Sequence, residues 1–105
     1  MLVLLMHLWL FLGTVDNTVQ EIDPQVYDGH RVYSKHSYLK NDKYSGYYSI
    51  NSWVINCKKK SLTHTKHQLF KTETNEMVRE EEFNVTIIFT ERSYAGYAVR
   101  EYWCK

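Results

Sequence analysis

Glu82-Phe-Asn-Val-Thr-Ile-Ile-Phe-Thr90 places Phe83, Val85, Ile87 and Phe89 on one side and Asn84, Thr86, Ile88 and Thr90 on the other. A period of two in β-branched and aromatic residues is the pattern of a half-buried strand. Asn84-Val-Thr86 is also an N-glycosylation sequon, which must face solvent when used. The two signals agree, with Asn84 outward as a glycosylation candidate and Val85, Ile87 and Phe89 inward.

Working outward from this strand, the segments on either side carry similar patterns. Upstream, Thr63 to Thr72 reads as a shorter strand and Thr74 to Glu81 as a hairpin connection. Ser49 to Lys59 alternates well, with Trp53, Ile55 and Cys57 on one face, and His30 to Leu39 forms the first strand. Lys40 to Gly46 collects turn formers. Thr14 to Asp28, polar and holding the only proline, reads as an extended lead-in. Downstream, Glu91 to Gly96 is a turn and Tyr97 to Cys104 a fifth strand. Five strands and short turns predict an all-β antiparallel meander. As an open sheet it would carry two edges and an uncovered apolar face.

Met1 to Gly13 is apolar and falls short of the ~20 residues that span a bilayer. It suits the apolar core of a signal peptide, giving a leader over residues 1–15, a mature domain over 16–105 and a secreted, extracellular chain. The 13 Lys plus Arg nearly balance the 12 Asp plus Glu, so no overall field points to nucleic acid or an anionic membrane. Lys58-Lys-Lys60 and Arg79-Glu-Glu-Glu82 read as solubility features of opposite sign. Cys57 and Cys104 can close a loop of roughly 48 residues, worth roughly 3–4 kcal/mol, or can each await another partner.

Enzyme motifs are absent: no Gly-rich phosphate loop, HExxH, GxSxG or CxxC occurs, and no cofactor is expected. His64 and His67, at i and i+3, would need a helix to converge, so a strand there argues against a metal site. Nine Tyr suit a pocket or a binding face. Asp42, between Tyr38 and Tyr44, and Glu101, between Tyr97 and Trp103, are candidates to hold a cationic amine by ion pairing and cation–π attraction. Trp53, Val85, Ile87 and Phe89 are the candidate apolar wall.

The order of features is similar to the first half of the tick salivary lipocalins, the group that includes the histamine-binding proteins. The residues that carry the likeness are Asp23-Pro24, Tyr38-Leu-Lys-Asn-Asp42, Trp53-Val-Ile-Asn-Cys57 and Tyr97-Ala-Val-Arg-Glu-Tyr-Trp-Cys104. The resemblance implies an incomplete up-and-down β-barrel of about five strands, a salivary protein fragment that sequesters a small ligand as a monomer. It marks Tyr38 and Asp42 as amine contacts, with Tyr44 beside them, and implies that Cys57 and Cys104 each pair with a cysteine outside this chain. Two departures are Lys105 in place of an acidic residue after the second cysteine, and the lack of the Gly-x-Trp signature. They leave a lipid mediator open beside histamine or another biogenic amine. The rival reading is a small secreted β-domain closed by Cys57–Cys104 that binds a protein on its Tyr-rich surface. A nonfunctional fragment is a third.

Overall fold

The structure is a computed structural model that describes residues 8–89 and 92–105. Six strands, β1 (Leu10–Val15), β2 (Thr18–Tyr27), β3 (Arg31–Tyr38), β4 (Tyr47–Asn56), β5 (Ser61–Lys71) and β6 (Met77–Ile88), form one sheet in chain order. Every neighbouring pair is antiparallel. This is the expected all-β meander, and the sheet is an open one with β1 and β6 as its edges.

Two strands lie where a leader and a polar lead-in were expected. Asp16 and Asn17 both have positive φ between the paired Val15 and Thr18, as do Asp28 and Gly29 between Tyr27 and His30. A two-residue turn with both residues left-handed matches the twist of the strands it joins, and Asn, Asp and Gly tolerate that conformation best. The turn residues thus make 10–27 a hairpin, and Asp28-Gly29 connects it to β3. Pro24 lies where β2–β3 pairing is interrupted between Asp23 and Tyr27, so its missing N–H costs no ladder bond.

The expected fifth strand is helical. Tyr94–Ala98 is a short helix, α1, and Val99–Trp103 continues it as a π-turn, closed by a bond from Cys104 N–H to Val99 O at 2.8 Å. Ser93 caps it, its Oγ accepting from Gly96 N–H at 3.0 Å. Ala95, Ala98, Val99, Tyr102 and Trp103 recur at i, i+3, i+4, i+7 and i+8, the stripe of an amphipathic helix. That stripe overrides the alternation of Tyr97, Val99, Glu101 and Trp103.

The stripe packs on the inner face of the sheet. Ala98, Val99 and Trp103 join Ile22, Val32, Ile55 and Leu62 in one buried cluster, with Leu10, Leu12 and Trp53 against it. Trp103 Nε1–H donates to the main-chain oxygen of Asp23 at 2.8 Å, which satisfies the indole inside the core. Cys104, on the residue after the π-turn, is disulfide-bonded to Cys57, next to Asn56 at the end of β4. The bridge overturns the implication that each cysteine pairs outside the chain. It ties the helical segment to the end of β4, over the sheet.

β6 is longer than expected, beginning at Met77, so Arg79 to Glu82 lies within a strand rather than a connection; Thr90 lies outside the described residues. All twelve of its residues are exposed.

Candidate functional site

Alternation along the strands puts Gln20 and Ile22, Val32, Ser34, His36 and Tyr38, and Ser49, Asn51, Trp53 and Ile55 on the inner face. Cross-strand pairing aligns Val32 with Trp53, Ser34 with Asn51 and His36 with Ser49. The face divides into an apolar half under α1 and a polar half beside it.

The apolar half holds a partly open cavity of about 210 Å³. Its wall takes residues from every strand, among them Leu12, Ile22, Ser34, Trp53, Leu62 and Ile87, with Tyr94, Ala95 and Trp103 as the lid. A wall drawn from both edge strands means that the sheet curls around the space. Leu12, Ile22, Leu62, Ile87 and the two indoles offer an apolar lining, while Ser34 and His36 bring polar atoms to it. Glu21 alternates with Gln20 and Ile22, so its carboxylate points to the outer face and its main chain completes the wall.

The polar half is centred on Asn51, only 3% exposed. Its Oδ1 lies 3.0 Å from His64 Nε2 and 2.9 Å from His67 Nδ1, and its Nδ2 donates to Ser49 Oγ at 3.3 Å. An amide oxygen only accepts, so both imidazoles donate, which fixes Nε2–H on His64 and Nδ1–H on His67. His64 also stacks between Trp53 and Phe83, with ring centroids 4.4 and 4.8 Å away. Trp53 Nε1–H donates to Ser34 Oγ at 2.9 Å, linking the polar half to the cavity wall.

His64 and His67 converge without a helix. The β4–β5 and β5–β6 registers both shift beside Thr65, between Ser52 and Trp53 and between His64 and Lys66. The extra residue of the bulge turns i and i+3 onto one face. Among the described residues no group of three or more His, Cys, Asp and Glu is placed to hold a metal ion. Burial, with the neighbouring His67 and His64 adding to it, lowers the pKa of His36 to about 4. Desolvation likewise lowers His64 and His67. At neutral pH the three rings are therefore uncharged hydrogen-bonding and stacking groups.

The six residues singled out for a ligand do not form one site. Trp53 lines the cavity. Tyr38 lies on the inner face, its hydroxyl 3.4 Å from Ser49 Oγ, and its ring is 5.6 Å from that of Tyr44. Asp42 is in the β3–β4 loop, where Oδ1 accepts Tyr44 N–H at 2.8 Å and shapes the turn. Phe89 packs near the disulfide, in a depression it shares with Cys57, Lys60 and Cys104. Glu101 is helical and pairs with Arg100 at 3.3 Å, so it does not lie on a strand face between Tyr97 and Trp103. Asp42 and Glu101 both stand apart from the cavity wall. Val85 and Ile87 do face inward on β6, and Ile87 reaches the wall. Asn84 is exposed on the outer face of β6, and Thr86 of its sequon shares a hydrogen bond with Thr63 at 2.8 Å.

Missed in the sequence were His36, Asn51 and Ser34. Each is a polar residue at an inward position of a strand, and their alternation with Val32, Trp53 and Ile55 was the signal available. No family model, curated protein or solved structure matches the chain, so the likeness to the tick salivary lipocalins rests on the quoted residues alone.

Proposed function

We propose that this is a secreted small-ligand-binding protein of lipocalin type, sequestering its ligand by affinity alone. The observation that carries the proposal is the cavity of about 210 Å³ whose wall draws on β2 to β6 and the helical lid, with Leu12 of β1 completing it in the uncleaved chain. Ligand sites are concave, mostly apolar and marked by a few polar groups. An apolar cavity of roughly 150 Å³ holds benzene, so this one suits a single or small fused ring with a short substituent. A long acyl chain would have to extend out of it.

The lining selects further. Ser34 and His36 supply hydrogen bonds, and none of the described residues points a carboxylate into the space. A neutral aromatic mediator therefore fits better than a protonated amine, and histamine would bind through its ring. Calorimetric titration with indole, histamine and a fatty acid tests this. Saturable binding of indole at micromolar levels, tighter than that of either other compound, is expected; no binding of any of the three would overturn the proposal.

Export is proposed from the disulfide, which persists in oxidising compartments, and from the apolar run of residues 1–13. No helix among the described residues is long and apolar enough to cross a membrane. Cleavage after Val15 would remove β1 and with it Leu12, opening the cavity beside Gln20 and Ile22. Intact-mass measurement of the exported chain reads the boundary. Asp16 at the N-terminus is expected, and retention of Leu10–Val15 would make β1 part of the mature fold.

A second reading is favoured by the internal Cys57–Cys104 bridge together with the exposed β6: a small disulfide-closed β-domain that engages a protein. Failure of every small-ligand titration while the oxidised chain captures a defined partner would favour it.

A further inference from the structure

Among the described residues β6 is the most exposed strand of the sheet and pairs on one side only, with β5. Its inward side carries Phe83, Val85 and Ile87 at 38%, 54% and 41% exposure, and Ile88 on the other side is 71% exposed. A long apolar edge with free N–H and C=O groups is a template for another strand. Residues 83–88 hold no lysine or proline, and the blunting that the edge does carry, a register shift opposite Phe83–Asn84 and the inward Arg79 and Glu81, lies toward its Met77 end.

Charge divides the same edge into two ends. At the Met77 end lie Glu80, Glu81 and Glu82, with Glu73 and Glu76 in the preceding turn. At the Ile88 end lies the exposed turn holding Lys58, Lys59 and Lys60, since Ser61 pairs with Ile88 and Phe89 N–H donates to Lys60 O at 3.3 Å. Within one chain Arg79 pairs with Glu81, Lys71 with Glu76 and Lys66 lies opposite Glu82, so the Met77 end keeps only a partial acidic excess, while Lys58–Lys60 lies at the other end of the β5–β6 pair. An antiparallel copy of the same edge brings each end beside its opposite.

We propose that β6 is a self-association edge, through which two copies pair antiparallel with Val85 on the two-fold axis. This register sets Phe83 opposite Ile87 of the second copy and Ile87 opposite its Phe83, so the inward apolar residues match each other. It also sets Glu81 opposite Phe89 of the second copy, next to that copy's Lys58–Lys60 turn. Other registers match less well: centring on Asn84 places Ile87 against Glu81, and centring on Thr86 pairs Val85 with Ile87 but sends Phe83 against Phe89, past the end of β6 at Ile88. Centring on Glu82 places like charges in direct opposition, and centring on Phe83 places Ile87 against Arg79 and Val85 against Glu81. The contact is isologous, so it closes on itself as a dimer with one continuous sheet.

The test is sedimentation equilibrium on the oxidised, unglycosylated full-length chain and its variants. The wild-type chain is expected at twice its 12.6 kDa mass. Val85→Lys, which sets like charges across the axis, should weaken association at least about a hundredfold. Its circular dichroism and Cys57–Cys104 bridge should stay native. Replacing Lys58, Lys59 and Lys60 by Glu should weaken the dimer, and adding Lys at positions 80, 81 and 82 should restore it. Val85→Cys should give a symmetric disulfide-linked dimer, because cross-strand Cα separations of about 4.5–5.5 Å fall within disulfide reach. Val78→Cys, outside the paired stretch, should not. A monomer at every concentration, a dimer unaffected by Val85→Lys, a cross-link at Val78 in place of Val85, or an open-ended series of oligomers would each overturn the proposal.

Discussion

Asn51 organises the polar half of the inner face, because one buried amide oxygen holds two imidazoles in defined tautomers. Removing it leaves two ring N–H groups without that acceptor. Asn51→Leu is expected to cost about 1–3 kcal/mol, read as a lower urea midpoint at unchanged slope. His36 sets the acid limit. Its folded pKa of about 4 lies below the unfolded value of 6.5, so on acidification the unfolded chain takes up the proton first. Stability is complete above pH 6.5 and this share of it is gone by about pH 4. The loss from His36 alone is ~3 kcal/mol, and His64 and His67, lowered in the same direction, add to it. Chemical denaturation between pH 7 and pH 4 should show this decline, and His36→Phe should flatten it. At this scale the sequence was least readable. The spacing of His64 and His67 excludes a shared face in a regular strand, and no residue type near Thr65 announces the bulge that brings them together.

At the scale of elements, the helical segment and its disulfide cover the apolar half of the inner face. Trp103→Ala removes a buried indole and its hydrogen bond to Asp23, and is expected to cost about 3–5 kcal/mol in denaturant unfolding. Replacing both cysteines by Ser should cost about 4 kcal/mol on the chain-entropy account for a sequence separation of 47. The same measurement should show α1 becoming susceptible to proteolysis before the sheet. Four strands were legible from their alternation, in Glu82–Thr90 most clearly. The N-terminal hairpin was hidden because its strands are polar or resemble a leader, although Asp28-Gly29 is a strong turn signal. Tyr97–Cys104 fits both periods, and the decisive evidence was the longer stripe from Ala95 to Trp103 behind the Ser93 cap.

At the scale of the whole molecule, a curled open sheet and a helical lid create a cavity that no single element contains. The all-β meander could be read from turn spacing and strand pattern, whereas the cavity depends on curl and on where the lid lands, neither of which local sequence specifies. Ala95→Leu, on the lid facing the cavity, is expected to fill the space, abolish ligand binding and leave the thermal midpoint unchanged or higher. The most direct test of the ligand-binding account is methyl NMR of the oxidised chain during titration with indole. Saturable shifts confined to Ile22, Leu62 and Ile87, and absent in Ala95→Leu, are the result it predicts; shifts confined to Val85, Ile88 and other exposed residues, or no shifts at all, would contradict it.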